Sequence, residues 1–372
     1  MSRRIIGPIV TLLLVIGVGA AIYLSVIEQF DATSVEEIRG ISGSEKLPFF
    51  RDERTVAALK QAPNYLQAKV EKAGSRQIAT SYNLKEYDFA FPAGIPAAEK
   101  IRREHQAMKS YQVFFTPMVI ASWQPIAEIL IRNGIVEERN GAYYIIKMDR
   151  LFDLIIEKNR WTDLAGNDSY PANKSILVTT TDIRKSNSAA MYLALASYVL
   201  NGNRIVQDEQ QADALVEALS SLFLRQGFTE HSSAVPFQDY LTMGAGKTPM
   251  VMIYEAQYLH EAALDNSAIQ DDMVLLYPEP TLFTKHVLIA LSEQGARLGE
   301  ALTNDDMLQR IATEHGLRTD NIGLFRDFIA TKGLSIPDTL VNIIEPPSYE
   351  VLEYMIQRIE SRYGNGQLPA VR

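Results

Sequence analysis

The stretch Thr179-Thr180-Thr181-Asp182-Ile183-Arg184-Lys185-Ser186-Asn187-Ser188 gathers hydroxyl and amide side chains immediately before a helical apolar run, AAMYLALASYVL. A serine, threonine or asparagine at a helix start accepts a hydrogen bond from a free backbone N–H, and one such residue is enough to cap the helix. Ser186, Asn187 and Ser188 are more than a cap needs. At the positive end of a helix dipole, extra hydroxyls and free N–H groups suit an anion or a polar ligand. The chemistry open to this stretch is therefore binding by neutral donors.

Other candidate stretches are weaker. In ISGSEK, Gly43 permits close backbone approach and Ser42 and Ser44 offer hydroxyls, but alone this is a turn. MGAGKTP resembles a phosphate loop, yet Leu241 stands where the first glycine of that motif belongs, and Pro249 opens a strand where a helix should follow. The five histidines, His105, His231, His260, His286 and His315, form no HExxH or close pair, which argues against zinc. The chain has no cysteine, so thiol nucleophiles, disulfides and cysteine-ligated metals are excluded. No G-x-S-x-G elbow occurs, and Glu255 reads as an acid at a helix start satisfying the dipole. No catalytic constellation emerges, and the expectation is a protein that is not an enzyme and needs no cofactor or metal.

The elements that position these residues repeat one pattern: a short β-rich run, a small polar loop, then an amphipathic helix. This is an α/β pattern. EEIRGIS leads through GSEK to RTVAALKQA, and YDFAF through PAG to PAAEKIRREHQAM. VFFTPMVIAS leads to WQPIAEILIRNG with Ser122 as the expected N-cap, SILVTTTD to the Ser186 helix, and PMVMIY to EAQYLHEAAL. The run DMVLLY is followed by PEPTLFTKHVLIALSEQG, read in the same way. LFDLIIEKNRWTDLAG has helical spacing at Leu151, Leu154 and Ile155, with Trp161 as a core or interlobe anchor. In open α/β sheets ligands sit beyond the carboxyl ends of strands, where such junctions converge.

The 372 residues, 47% apolar, suffice for two or three domains, and a formal charge of −9 argues against a general nucleic-acid surface. MSRR precedes an uncharged apolar run from Ile5 to Ile27, long enough to span a bilayer. Arg3 and Arg4 before it and Glu28, Asp31, Glu36 and Glu37 after it place the N-terminus in the cytoplasm and the bulk outside. The competing reading is a cleaved signal peptide ending at Ala20, although the run continues to Ile27. A twin-arginine signal is disfavoured by Gly7 and Pro8.

Taken in order, SGSEK, YDFAFPAG, FFTPMVIASWQPIAEIL, RWTDL, ILVTTTDIRKSNSAAMYLALASYV, DYLTMGAGKTPMVMIYEAQYL and DMVLLYPEPTLFTKHVLIAL resemble the type II periplasmic solute-binding proteins, in particular the molybdate/tungstate-like branch. The resemblance spans residues from about 35 to 320. It implies an α/β, two-lobed type II periplasmic binding protein-like fold following an N-terminal transmembrane helix, with the ligand in the cleft between lobes. Its boundaries are an anchor or signal segment at 1–28, a first lobe at 33–116, a second at 117–274, and a return with C-terminal helices at 275–372. Carried over motif by motif, the ligand positions are Ser42 and Ser44, the loop Pro92-Ala93-Gly94, Ser122, Ser186, Asn187, Ser188 and Tyr254. Ala93 offers only backbone where oxyanion binders often have serine, and Arg184 and Lys185 suit a larger or more acidic ligand. Both depart from simple molybdate binding.

The expected function is a membrane-anchored, extracytoplasmic solute-binding protein. It captures a small polar or anionic solute and delivers it to a membrane transporter or another membrane complex at the inner or cytoplasmic membrane. The alternative is a sensor or protein-interaction module that kept the fold.

Overall fold

The computed structural model describes residue 18 and residues 34–363, apart from 106, 140–142, 228 and 338. Apart from Val18, the apolar run of residues 5–27 lies outside the described residues. Among those described, no helix is long and apolar enough to cross a membrane.

Among the described residues ten strands form one connected sheet: β1 Glu36–Ser42, β2 Leu66–Lys72, β3 Phe89–Phe91, β4 Lys109–Trp123, β5 Val136–Arg139, β6 Tyr143–Lys147, β7 Val251–Tyr254, β8 Met273–Glu279, β9 Thr281–Ala290 and β10 Ile343–Ile344. The order β2-β1-β3-β9-β4-β8-β6-β5 runs through two lobes. The long strand β4 joins them. From Lys109 to Pro117 it pairs antiparallel with β9; from Met118 onward it pairs with β7 and β8. The second crossing is the step from β8 to β9. β8 stays paired with β6 through Glu279, so the chain leaves the second lobe at Pro280, a few residues beyond the expected return at 275.

In the first lobe the side chains alternate between two buried faces, as the two-residue period of a strand requires. Phe89, Phe91 and Leu288 enter one core, while Ala90, Val287 and Ile289 enter the other. The second lobe surrounds the helix Asn187–Leu200. Twelve of its 14 residues are buried, so the helix is apolar all round instead of amphipathic. Trp161 lies in this lobe's core with its ring edge-on to Tyr170 at 5.6 Å.

Three local expectations are corrected. PEPTLFTKHVLIAL follows β8 as a strand, not as a helix. Its threonines, valine, isoleucine and phenylalanine are β-formers, and Leu282, Thr284, His286 and Leu288 recur at period two as fully buried residues. The run Ser175–Val178 forms no strand, making only isolated bridges on either side, Arg160 with Ser175 and Thr179 with Val251. Ser122 is not an N-cap, because β4 continues through Trp123, which precedes the helix Gln124–Arg132.

The C-terminal helix Tyr349–Tyr363 touches both lobes. Its Leu352, Met355, Ile356 and Ile359 join the second lobe's core. On its other side Glu350 pairs with Arg103 at 2.6 Å and Glu353 with Arg76 at 2.7 Å, both in the first lobe.

Candidate functional site

The start of the helix Asn187–Leu200 is fixed from two sides. Thr179 donates to the Met250 carbonyl and accepts from the Met252 N–H, both at 2.9 Å, which ties this segment to β7. Asp182 then folds the chain back. Its carbonyl accepts from Lys185 and Ser186, and its carboxylate grips Arg184 through three contacts of 2.6–2.9 Å. Burial opposes charge on Asp182, but the hydrogen bonds from Arg184 outweigh it and hold the carboxyl below its ordinary range. Arg184 is thereby committed to Asp182. Ser186 occupies the N-cap position, yet its side chain makes no capping bond. Its hydroxyl meets Ser188 at 3.1 Å, and Ser188 meets Thr181 at 2.7 Å. Asn187 donates through Nδ2 to the Tyr254 hydroxyl at 3.1 Å.

Facing this helix start are the loop after β1 and the loop after β2. Together they enclose a cavity of about 170 Å³, with Ser44, Glu45, Lys72, Gly74, Ser75 and Gln77 from the first lobe. Ser186, Asn187, His231, Ser232, Ser233 and Tyr254 close it from the second. The lobes are in contact around it. Ser44 and Ser232 hydroxyls lie 3.0 Å apart, and Arg76 donates to the Arg184 carbonyl at 2.6 Å. Gly94, with φ of +89°, leaves room for Asn187: a Cβ there would sit 2.6 Å from Oδ1.

Behind the cavity lies a buried charged trio. Glu45 pairs with Lys46, whose ammonium also lies 3.0 Å from His286 Nδ1 and 4.9 Å from the centre of the Phe91 ring. Burial works against the Glu45 charge, but the adjacent Lys46 ammonium outweighs it and holds the carboxyl well below its usual range. Burial pushes Lys46 down while Glu45 holds it up. His286 falls to about 4, first from burial and then from the Lys46 charge, so its ring is neutral at pH 7. His286 Nδ1 is 3.4 Å from Glu45 Oε1 but only 3.0 Å from Lys46, so the ammonium donates to Nδ1 and the ring proton sits on Nε2. That Nε2 is buried without a partner. Burial, reinforced by the Glu45 charge, raises the Tyr254 hydroxyl well above its ordinary pKa, so it stays protonated.

Of the ten residues expected to bind ligand, Ser44, Ser186, Asn187 and Tyr254 line the cavity. Four of the other six are spent inside the protein. Ser42 donates to the Phe91 carbonyl at 3.3 Å and Ser122 to the Pro249 carbonyl at 2.8 Å. Ala93 has its N–H taken by Ser75 Oγ at 2.8 Å, and Ser188 is held by Thr181 and Ser186. Pro92 is likewise absent from the lining, and Gly94 contributes only the space beside Asn187.

Sequence reasoning missed Glu45 and Lys46, although they sit inside the quoted ISGSEK. It also missed Gly74 and Ser75, where β2 hands over to a helix like the other junctions. His231, Ser232 and Ser233 come from a loop with no periodic pattern to mark them. Glu255 is not a lone helix-start acid. It is fully buried and held by Arg318 through two contacts of 2.8 Å and by the Tyr277 hydroxyl at 2.7 Å. Among the described residues no group of three or more histidine, cysteine or acidic side chains is placed to hold a metal ion.

No protein-family model matches the chain, and no curated protein matches it in sequence. Solved structures match its fold. The sulfate-binding protein SubI from Mycobacterium tuberculosis is similar at 12% identity with a TM-score of 0.53, over 85% of this chain and 96% of that one. A periplasmic thiamin binding protein is similar at 10% identity with a TM-score of 0.52, over 87% and 95%. The apo ferric ion-binding protein A from Pasteurella haemolytica is similar at 11% identity with a TM-score of 0.51, again over 87% and 95%. At these identities the likeness is one of architecture. The chain has the mixed α/β, two-lobed fold of periplasmic binding proteins.

Proposed function

We propose that this chain is an extracytoplasmic solute-binding protein, held at the membrane by its N-terminal apolar run, that encloses one small polar solute between its lobes and delivers it to a membrane complex. The observation that carries this reading is the polar cavity of about 170 Å³ closed by hydroxyls and an uncapped helix start from one lobe and by Ser44, Glu45 and Ser75 from the other. A cavity of about 150 Å³ holds one benzene. The solute is therefore of that order, a few to roughly ten heavy atoms.

The two walls ask for different chemistry. The helix start, Ser186, Asn187 and the protonated Tyr254 supply donors for an anionic or carbonyl oxygen. Glu45 supplies an ionised carboxylate whose Oε1 is occupied by Lys46, leaving Oε2 to accept from the solute. A solute with both an oxygen acceptor and a hydrogen-bond donor fits this pair. A fully deprotonated oxyanion of the molybdate kind would face Glu45 with no proton to offer, so that narrower assignment is not favoured.

A thermal-shift screen of the full chain against amino acids, hydroxy acids, protonated oxyanions and sulfate tests the reading. A cavity ligand raises stability by about 2.7 kcal/mol at a hundredfold excess over its Kd. Stabilisation by donor-bearing solutes and not by sulfate is the expected result. The ion pairs that the C-terminal helix makes with both lobes favour a second reading, a closed module that engages a protein instead of cycling around a solute. A screen without any stabilising solute selects that second reading.

A further inference from the structure

Resting on the reading of the interlobe cavity as a solute site, we infer that its solute is a hydroxy acid with a second acidic group, which Lys72 and Lys185 hold at the mouth. Lys72, the last residue of β2, and His231 are the exposed members of the cavity lining, so they mark its opening, one from each lobe. The Lys185 ammonium lies 2.9 Å from His231 Nε2. An ammonium only donates, so Nε2 accepts in this contact and the ring proton sits on Nδ1. The lobes adjoin at this point, because Gly74, shortly after Lys72, abuts the Lys185 carbonyl.

The other cations around the cavity are spent on carboxylates: Arg184 on Asp182, Arg76 on Glu353 and Lys46 on Glu45. Among the described residues Lys72 and Lys185 make no ion pair, and Glu230, next to His231, pairs with neither. Two uncompensated ammonium groups from opposite lobes therefore stand at one opening, and an anionic group placed there pairs with both. The floor selects the rest of the solute. The Glu45 side chain is only 4% exposed, its Oε1 is taken by Lys46, and its Oε2 has no donor. A nearly buried carboxylate oxygen without a partner at a cavity wall calls for a donor on the solute. That donor is a hydroxyl and not an ammonium, because an ammonium on Oε2 would face the Lys46 charge across a single carboxylate at low dielectric. Asn187, Tyr254 and the helix start take one carboxylate, and the second reaches the mouth. A hydroxy dicarboxylate of about four carbons meets all three demands within the size that the cavity sets.

The test is isothermal titration of the full-length chain with racemic malate, lactate and aspartate. Malate should bind saturably, one per chain. Lactate, which lacks the second carboxylate, should bind about two- to thirtyfold more weakly, the worth of two exposed ion pairs. Added salt should weaken malate more than lactate. Lys72→Gln and Lys185→Gln should each weaken malate by about 1.5- to fivefold and narrow its advantage over lactate. Aspartate, with an ammonium in place of the hydroxyl, should bind more weakly than malate. Equal affinity for malate and lactate, or an unchanged gap between them in both lysine variants, would overturn the mouth subsite while leaving the cavity as a solute site. Aspartate binding as tightly as malate would overturn the choice of a hydroxyl. If neither hydroxy acid binds but another solute of the screen does, the hydroxy-dicarboxylate assignment alone falls; if no solute binds, the reading of the cavity falls with it.

Discussion

Gly74 is where closure of the lobes can be tested with a single methyl group. It ends the first-lobe loop after β2 and faces the Lys185 carbonyl of the second lobe, so that a Cβ there would sit 2.4 Å from that oxygen. Ordinary contact begins near 3.4 Å, and the obstructing atom is backbone, so the lobes must part by about 1 Å or distort. The Lys185 segment cannot easily yield, since its N–H is bound to Asp182 and the preceding carbonyl to Arg76. The backbone of Gly74 itself, at φ −69° and ψ 143°, is ordinary for alanine. Gly74→Ala therefore strains only the closed form. Overpacking costs about 1–3 kcal/mol, which lowers solute affinity by about 5- to 150-fold at 1.4 kcal/mol per tenfold. Stability of the empty protein should hold or rise slightly, because alanine restricts the unfolded chain. Titration calorimetry with the solute returned by the screen reads the affinity, and denaturant unfolding reads the stability. Wild-type affinity in a normally folded Gly74→Ala protein would refute the reasoning that this contact belongs to the solute-bound state.

Other outcomes follow from the same geometry. Ser186→Ala should cost less stability than the roughly 1 kcal/mol of a capping serine, because Ser186 makes no capping bond, yet it should weaken the solute by about 0.5–1.5 kcal/mol. Urea unfolding and calorimetry on the one variant separate the two effects. His286, neutral and lowered to about 4 when folded but near 6.5 when unfolded, gives the unfolded chain the extra proton between those values. Its contribution is complete above the unfolded value and declines as pH falls toward the folded one. Urea unfolding should show about 2 kcal/mol lost between pH 7 and pH 5 on its account, and a His286→Gln protein should lose correspondingly less. Glu255→Ala leaves the Arg318 charge buried without its carboxylate, and a loss of about 3–5 kcal/mol in urea unfolding is expected. A change below about 1 kcal/mol there would mean that water reaches Arg318.

How far the sequence reveals this molecule depends on the range of each signal. Strand-to-helix junctions are local, so the β1 loop, the Ser186 helix and the β7–Tyr254 junction are all legible, and three of the four expected residues that line the cavity come from the last two. What a junction does not say is whether its polar side chain turns outward to the cleft or inward to the chain. Ser42 is the last residue of β1 and Ser44 opens the helical turn that follows, and only Ser44 reaches the cavity, because Ser42 spends its hydroxyl on the Phe91 carbonyl. The same ambiguity separates Ser186 from Ser188. β9 is hard to read as a strand because alternation of apolar and polar residues is blurred in a strand buried on both faces, where Val287, Leu288 and Ile289 run consecutively. Glu45, Lys46 and His286 form a trio across 240 residues of sequence, which no local pattern can announce.

The central claim, that the interlobe cavity holds one solute, is tested most directly by native mass spectrometry of the full-length chain with the solutes of the screen. Wild-type protein should retain one solute per chain, and Asn187→Leu, which removes the amide from the cavity wall and from Tyr254, should retain none while remaining folded. An adduct that survives unchanged in Asn187→Leu would place the solute elsewhere and contradict the claim.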